Sequence, residues 1–226
     1  MKLQIIGFED IIFTNIENTL LIIENHKLFS KVILSLSNYI DNISIDDEII
    51  ILDNLDNIVK GNQINLILDP IHFNFNDRFL LTKIYSKISQ SIINQQDIYE
   101  VFNTYISSLN NIIINELNDF NFNFSANYDL SIISYLKCLN VKVEDIKNKS
   151  IFDKILDCID LYSEILPNQI FIFVCLLQYL DDKQIEEINK YICYKKVCCL
   201  FIENEYNRSK KFKKYIIDNE FCEQIY

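Results

Sequence analysis

Residues 19–40 read TLLIIENHKLFSKVILSLSNYI, and how this stretch is read decides the fold. An apolar, β-branched run ends in a charged loop. Ser30 and Lys31 then open a helix whose apolar positions fall at Phe29, Val32, Ile33, Leu36 and Ile40. Strand, loop and helix in this order are the layout of a nucleotide-binding turn. A phosphate loop of the G-x-x-x-x-G-K-[ST] type needs glycines, because only they let successive backbone N–H groups converge on phosphate oxygens without side-chain clash. The loop here runs Glu24, Asn25, His26, Lys27, Leu28, Phe29, Ser30, Lys31, with no glycine. Glu24 would repel a phosphate and Phe29 would crowd it. The whole chain has two glycines, Gly7 and Gly61, so no second cradle is available. Asp69, after the run INLIL, stands where a magnesium-binding Asp would follow a strand, yet it has no nucleotide to serve. The turn is expected to be structural and nucleotide hydrolysis is not expected.

The same two patterns alternate along the chain. Short strands are expected in KLQIIG, DIIFTNI and TLLIIEN over residues 2–25, and in DDEIIILDN (46–54) and QINLILDP (63–70). Helical spacing covers 77–93, 97–118 and 130–139. The segment NDFNFNFSANYD (118–129) breaks the helical pattern, and its alternating Phe120, Phe122 and Phe124 suggest a short extended piece. Ser150 with Asp153 marks a helix start that runs to about Leu166. QIFIFVCLL (169–177) and KVCCLFIEN (196–204) read as strands buried on both faces. The helix between them, capped by Asp181 with Gln184, makes them a parallel pair. A final strand is expected after the basic run RSKKFKK (208–214). The fold class is therefore α/β, with a head at 1–93 and 167–226 and an all-helical insertion, or leg, at 94–166.

Composition limits the function. The 226 residues carry a net charge of −11, so the chain is not a general polyanion binder. Any contact with nucleic acid requires lysines segregated onto one surface, or bound cations that offset the acids. The abundance of Asn and Ile reflects an AT-rich genome rather than a function. Seven cysteines, an odd number with no C-x-x-C pair, point to free, buried thiols in a reducing cytoplasm. Cys193, Cys198 and Cys199 lie close in sequence but lack a well-spaced fourth zinc ligand. No apolar run is long enough to span a membrane. His26 and His72 stand in no hydrolase motif, and no catalytic constellation is visible, so no enzyme is expected.

Four segments in fixed order carry a resemblance: ENHKLFSK after a strand, LILDPIHFNFND before a helix, LKCLNVKVED in the insertion, and IFIFVCLLQYLDDKQIEEINKYICYKKVCCLFIENE near the end. Together they resemble the small accessory protein family of CRISPR adaptation in type II-A systems, over nearly the whole chain. The resemblance implies a degenerate P-loop-ATPase-like head without ATPase activity, and a helical leg. It also implies a homotetrameric ring that threads onto double-stranded DNA ends and supports spacer acquisition in antiviral defence. Implied partners are the spacer integrase and the RNA-guided effector nuclease.

The family's calcium ions imply oxygen ligands in NELNDFNFNFSANYD, where Glu116, Asp119 and Asp129 keep a carboxylate. Asn123 and Ser125 stand where relatives tend to be acidic, so the site is weak or is simply a solvated Asn-rich turn. The implied DNA contacts begin with Lys137 and Lys142 in YLKCLNVKVE. The basic run with Arg208, Lys210, Lys211, Lys213 and Lys214 either lines the ring's hole or lies outside it. Binding should be sequence-independent, since no base-reading motif is visible. A scaffold acting only through protein contacts with the adaptation complex is the alternative.

Overall fold

A computed structural model describes residues 1–43, 48–125, 130–144, 149–166, 168–205 and 212–226. The chain divides into two compact units, Met1–Phe73 with Ile146–Tyr226, and Asn74–Asp145. The divisions fall near 73 and 145, where the sequence reading places them at 94 and 166. A helix at 78–93 thus belongs to the second unit and one at 151–165 to the first.

In the first unit, β1 (Lys2–Ile5), β2 (Ile11–Ile12) and β4 (Ile49–Leu52) form a small antiparallel sheet in the order β2-β1-β4. The main sheet has six strands. β3 (Thr19–Ile23), β5 (Ile64–Ile67), β6 (Ile170–Val174), β7 (Cys198–Glu203), β8 (Lys213–Ile217) and β9 (Glu223–Ile225) lie in the order β5-β6-β7-β3-β8-β9. All neighbours are parallel except β8 and β9. Every residue of β3 and β6 is buried, as expected of a parallel sheet covered on both faces.

The two faces have different linings. Leu21, Ile23, Ile172, Val174, Leu200 and Ile202 pack with Val32 and Leu36 of α1 (His26–Ile40) and with Leu3, Ile49 and Ile51 of the small sheet. The alternate residues build an aromatic layer on the other face. Phe171 stacks on Phe173 with ring centroids 5.9 Å apart, and Phe173 on Phe201 at 5.4 Å. Phe212 meets Phe201 edge-on at 5.2 Å, and Tyr162 meets Phe171 at 5.5 Å. Tyr162 sits on α5 (Ile151–Ile165), which packs beside α6 (Asp182–Lys195). Both helices begin with the reciprocal caps read from sequence, Ser150 with Asp153 and Asp181 with Gln184. Gly61 is needed for packing: a Cβ there would lie 2.3 Å from the Ile40 carbonyl oxygen at the end of α1.

The second unit consists of α2 (Arg78–Ile93), α3 (Gln96–Asn118) and α4 (Ile132–Cys138). Tyr85 of α2 donates to the Val141 carbonyl at 2.6 Å, and the Asn76 side chain brackets the Val143 backbone at 2.8 and 2.9 Å. Phe102 of α3 meets Tyr135 of α4 edge-on. Ile106 is the one buried residue of α3, whereas Ile98, Val101, Tyr105, Leu109, Ile112 and Ile113 are exposed.

Three expectations differ from the structure. Among the described residues, 119–125 form bends and irregular backbone rather than a strand, because no neighbouring strand supplies hydrogen-bond partners. A strand, β8, already begins inside the basic run, at Lys213, ahead of the expected final strand, which is β9. Cysteine burial is mixed: Cys158 and Cys199 are buried, but Cys138 and Cys222 are exposed.

Candidate functional site

The main sheet presents the ends of β3, β5, β6, β7 and β8 at its carboxyl edge, where open α/β sheets place their ligands. The turn between β3 and α1 lies there. Asn25 caps α1, and its Oδ1 accepts from the Lys27 and Leu28 N–H groups, each at 3.1 Å. These are two of the donors that a phosphate at a helix N-terminus would take. Lys31 is also engaged, with Nζ 2.6 Å from Glu48 Oε1. Asp69, after β5, has its carboxylate turned onto its own loop. One oxygen accepts from the Ile71 and His72 N–H groups at 2.9 and 3.1 Å, and the other meets His72 Nδ1 at 2.5 Å. The His72 contact, then these backbone N–H groups, hold the Asp69 carboxyl below its ordinary range. Chemically, the three groups that would serve a nucleotide bond instead to neighbours within the chain.

One group at this edge escaped sequence reasoning. Glu203, the last residue of β7, is only 2% exposed and its Oε1 accepts from the Leu177 N–H at 2.9 Å. Burial pushes its carboxyl up to about 7, against the pull of backbone and Gln178 hydrogen bonds. The signal was present: in CCLFIE, Glu203 shares the period-two face of Cys199 and Phe201, which points into the aromatic layer. A carboxyl raised from its ordinary 4.5 to about 7 makes the folded state hold a proton that the unfolded chain has already lost. Stability therefore falls as pH rises from about 4.5 through about 7. The loss is about 3 kcal/mol and is absent from Glu203→Gln. Urea unfolding of both proteins at pH 5 and pH 8 measures it, and parallel pH dependences would contradict the assignment.

The expected DNA-contacting residues do not form one patch. Lys137, in the last turn of α4, and Lys142 are exposed in the helical unit, and neither has an ion pair among the described residues. Lys213 and Lys214 lie on β8 in the sheet unit, and as neighbours in a strand they point to opposite faces. Lys213 holds its ammonium 5.1 Å from the centre of the Tyr215 ring. Lys214 is 6% exposed and its backbone pairs with Tyr226, while burial lowers the pKa of its amine. Arg208, Lys210 and Lys211 lie outside the described residues.

Of the expected metal ligands, Glu116 and Asp119 are exposed at the carboxyl end of α3, where the Asp119 N–H donates to the Glu116 carbonyl at 3.4 Å. Asn123 is exposed in the segment that follows, and Asp129 lies outside the described residues. Carboxylate, amide and helix-terminal carbonyl oxygens are the donor types that calcium takes. Among the described residues no three His, Cys, Asp or Glu side chains group closely enough to hold a metal by themselves. No helix among the described residues is long and apolar enough to cross a membrane.

Comparison with known proteins places this geometry. The model of the CRISPR-associated protein family Cas_Csn2 matches residues 42–221. CRISPR-associated protein Csn2 of Streptococcus agalactiae is 20% identical over 205 residues, 90% of this chain and 88% of that protein. Its namesake from Enterococcus faecalis is 18% identical over 176 residues, 78% of each. The crystal structure of Stu0660 of Streptococcus thermophilus superposes with a TM-score of 0.63 at 17% identity, covering all of this chain and 76% of that one, and it shares the fold. The segment order, the family match across most of the chain and the shared fold agree, and the chain belongs to the CRISPR-associated Csn2 family.

Proposed function

We propose that this protein binds double-stranded DNA ends without sequence preference, as a homotetrameric ring, and supports spacer acquisition in type II-A CRISPR immunity without catalysing a reaction. The observation that carries the reading is the turn before α1. Asn25 takes helix N-terminal amides, Lys31 is tied to Glu48, and Asp69 is tied to His72. A P-loop-like head so occupied serves as architecture. Self-association is supported by α3, on which Ile98, Val101, Tyr105, Leu109, Ile112 and Ile113 are exposed. Lys137 and Lys142 are the first phosphate contacts, and Lys213, Lys210 and Lys211 are further ones. The partners are the spacer integrase and the effector nuclease, in the cytoplasm.

Four copies together carry a charge of about −44, so the ring must gather its lysines inside and offset its acids. Calcium contributes to that offset. Glu116, Asp119, Asn123 and Asp129 would hold it, next to the partly negative carboxyl end of α3.

A gel shift tests the reading. Linear duplex DNA is retarded and covalently closed circular DNA of the same sequence is not, because a ring needs an end to thread. Equal retardation of both would end the threading model. If neither shifts at low salt while the protein still self-associates, a scaffold acting through protein contacts replaces it.

A further inference from the structure

At the opposite, amino edge of the main sheet lies a cavity of about 420 Å³, formed where the chain enters β3, β6 and β7. Its volume is within the range of small-ligand sites. Its polar wall is made by Asn15, Asn54, Asn168, Gln169, Lys195 and Lys196, over a floor that includes Phe171 and Val197. In a chain with 32 acidic residues, no Asp or Glu is among the described residues that line it.

The side-chain amides of Asn15 and Asn168 have no hydrogen-bond partner among the described residues, so donors and acceptors are free to meet a ligand. Lys195 is held 2.6 Å from Asp160 Oδ1, which also accepts from the Tyr191 hydroxyl. Lys196 has no ion pair among the described residues. Its backbone is fixed in the left-handed conformation at φ 54° by hydrogen bonds to the carbonyls of Ile192 and Cys193.

Charge balance narrows the ligand. The carboxyl ends of α5 and α6 reach this edge, each with roughly half a negative charge. Asp160 offsets Lys195, which leaves two positive charges against those two helix ends: Lys196, and the Met1 ammonium, which donates to Asn54 Oδ1 at 2.7 Å. The balance favours an anion, and a phosphate can pair with Lys196 directly. Asn amides pair with the edge of a nucleobase, offering a donor and an acceptor side by side.

We propose that this cavity binds a nucleoside 5′-monophosphate, with the phosphate on Lys196, the base edge on Asn15 and Asn168, and the base face over the apolar floor. Either a free mononucleotide or the 5′-phosphorylated terminus of a DNA strand supplies this chemistry. The site is distinct from the turn before α1 and independent of ring formation.

Calorimetric titration of the full chain with AMP, GMP, CMP and TMP tests it, with adenosine and inorganic phosphate as partial ligands. Lys196→Asn removes the charge with a residue that tolerates the left-handed backbone, and Asn168→Gly removes an amide at φ 72°. At least one mononucleotide should saturate below about 1 mM, and each substitution should weaken it about tenfold without lowering the unfolding temperature. Short duplexes with and without 5′-phosphates, used as competitors, separate the two sources. Only the phosphorylated duplex displaces the nucleotide if the terminus is the ligand, and neither does if the free nucleotide is. Absence of binding by all four mononucleotides at about 5 mM overturns the proposal, as does unchanged affinity in Lys196→Asn. Loss of binding in Lys31→Ala alone would place the nucleotide at the other edge and overturn both this inference and the non-catalytic head.

Discussion

Raising monovalent salt from about 50 to about 200 mM is expected to weaken binding to linear duplex DNA by about 10⁴-fold. The figure follows from counting contacts. Counting only the first proposed contacts, Lys137 and Lys142 of each copy, the proposed tetramer would make about eight phosphate contacts, for a slope of log affinity on log salt near −7. Long-range repulsion between the proposed acidic ring and DNA would work the other way, because salt screens it, so the slope is an upper limit. Exchanging Lys137 and Lys142 together for Gln should flatten the slope and abolish retardation at physiological salt, while the unfolding temperature stays put. Both side chains are exposed and without ion pairs among the described residues, so little folding stability depends on them. Fluorescence anisotropy across a salt series measures the slope. Should the double variant keep the wild-type slope, the phosphate contacts lie elsewhere, and Lys213 with the run at 208–211 becomes the next place to substitute.

Phe201→Ala should remove about 3–5 kcal/mol of stability. β7 lies between β6 and β3 within the main sheet, and Phe201 is fully buried with Phe173 stacked against it and Phe212 edge-on. Deleting the ring leaves a cavity that the paired strands cannot collapse into, because their backbone positions are fixed by hydrogen bonds on both sides. For a domain of ordinary stability that loss is a large share of the total. Phe201→Leu keeps most of the volume and should cost less than half as much. Urea denaturation resolves the two, and a loss under about 1 kcal/mol in Phe201→Ala would mean that the aromatic layer is less tightly packed than its centroid distances indicate.

Comparison of sequence with structure is instructive at particular residues. Helix starts were legible because capping is local: Ser150, Asp153, Asp181 and Gln184 satisfy amides three residues away, and no distant group is needed. The parallel pairing of β6 and β7 followed from the helix between them. Phe120, Phe122 and Phe124 misled, since alternation suggests a strand only where a partner strand exists. The basic run misled differently. Its charges suggested a solvated surface, yet Lys214 enters a strand beside β3 and is buried there.

The sequence by itself determined the α/β class and the missing phosphate loop, because periodicity, caps and glycine content act over a few residues, while the family followed from the resemblance of four segments in fixed order. Tertiary structure alone decided that Asn25, Lys31 and Asp69 are each satisfied by neighbours, that burial raises the Glu203 carboxyl to about 7, and that Lys196 opens onto a cavity with no carboxylate among the described residues that line it. These properties depend on which groups meet and how much water is excluded where they do. Strand order in the sheet sets both, between residues as far as 194 positions apart, such as Thr19 and Lys213.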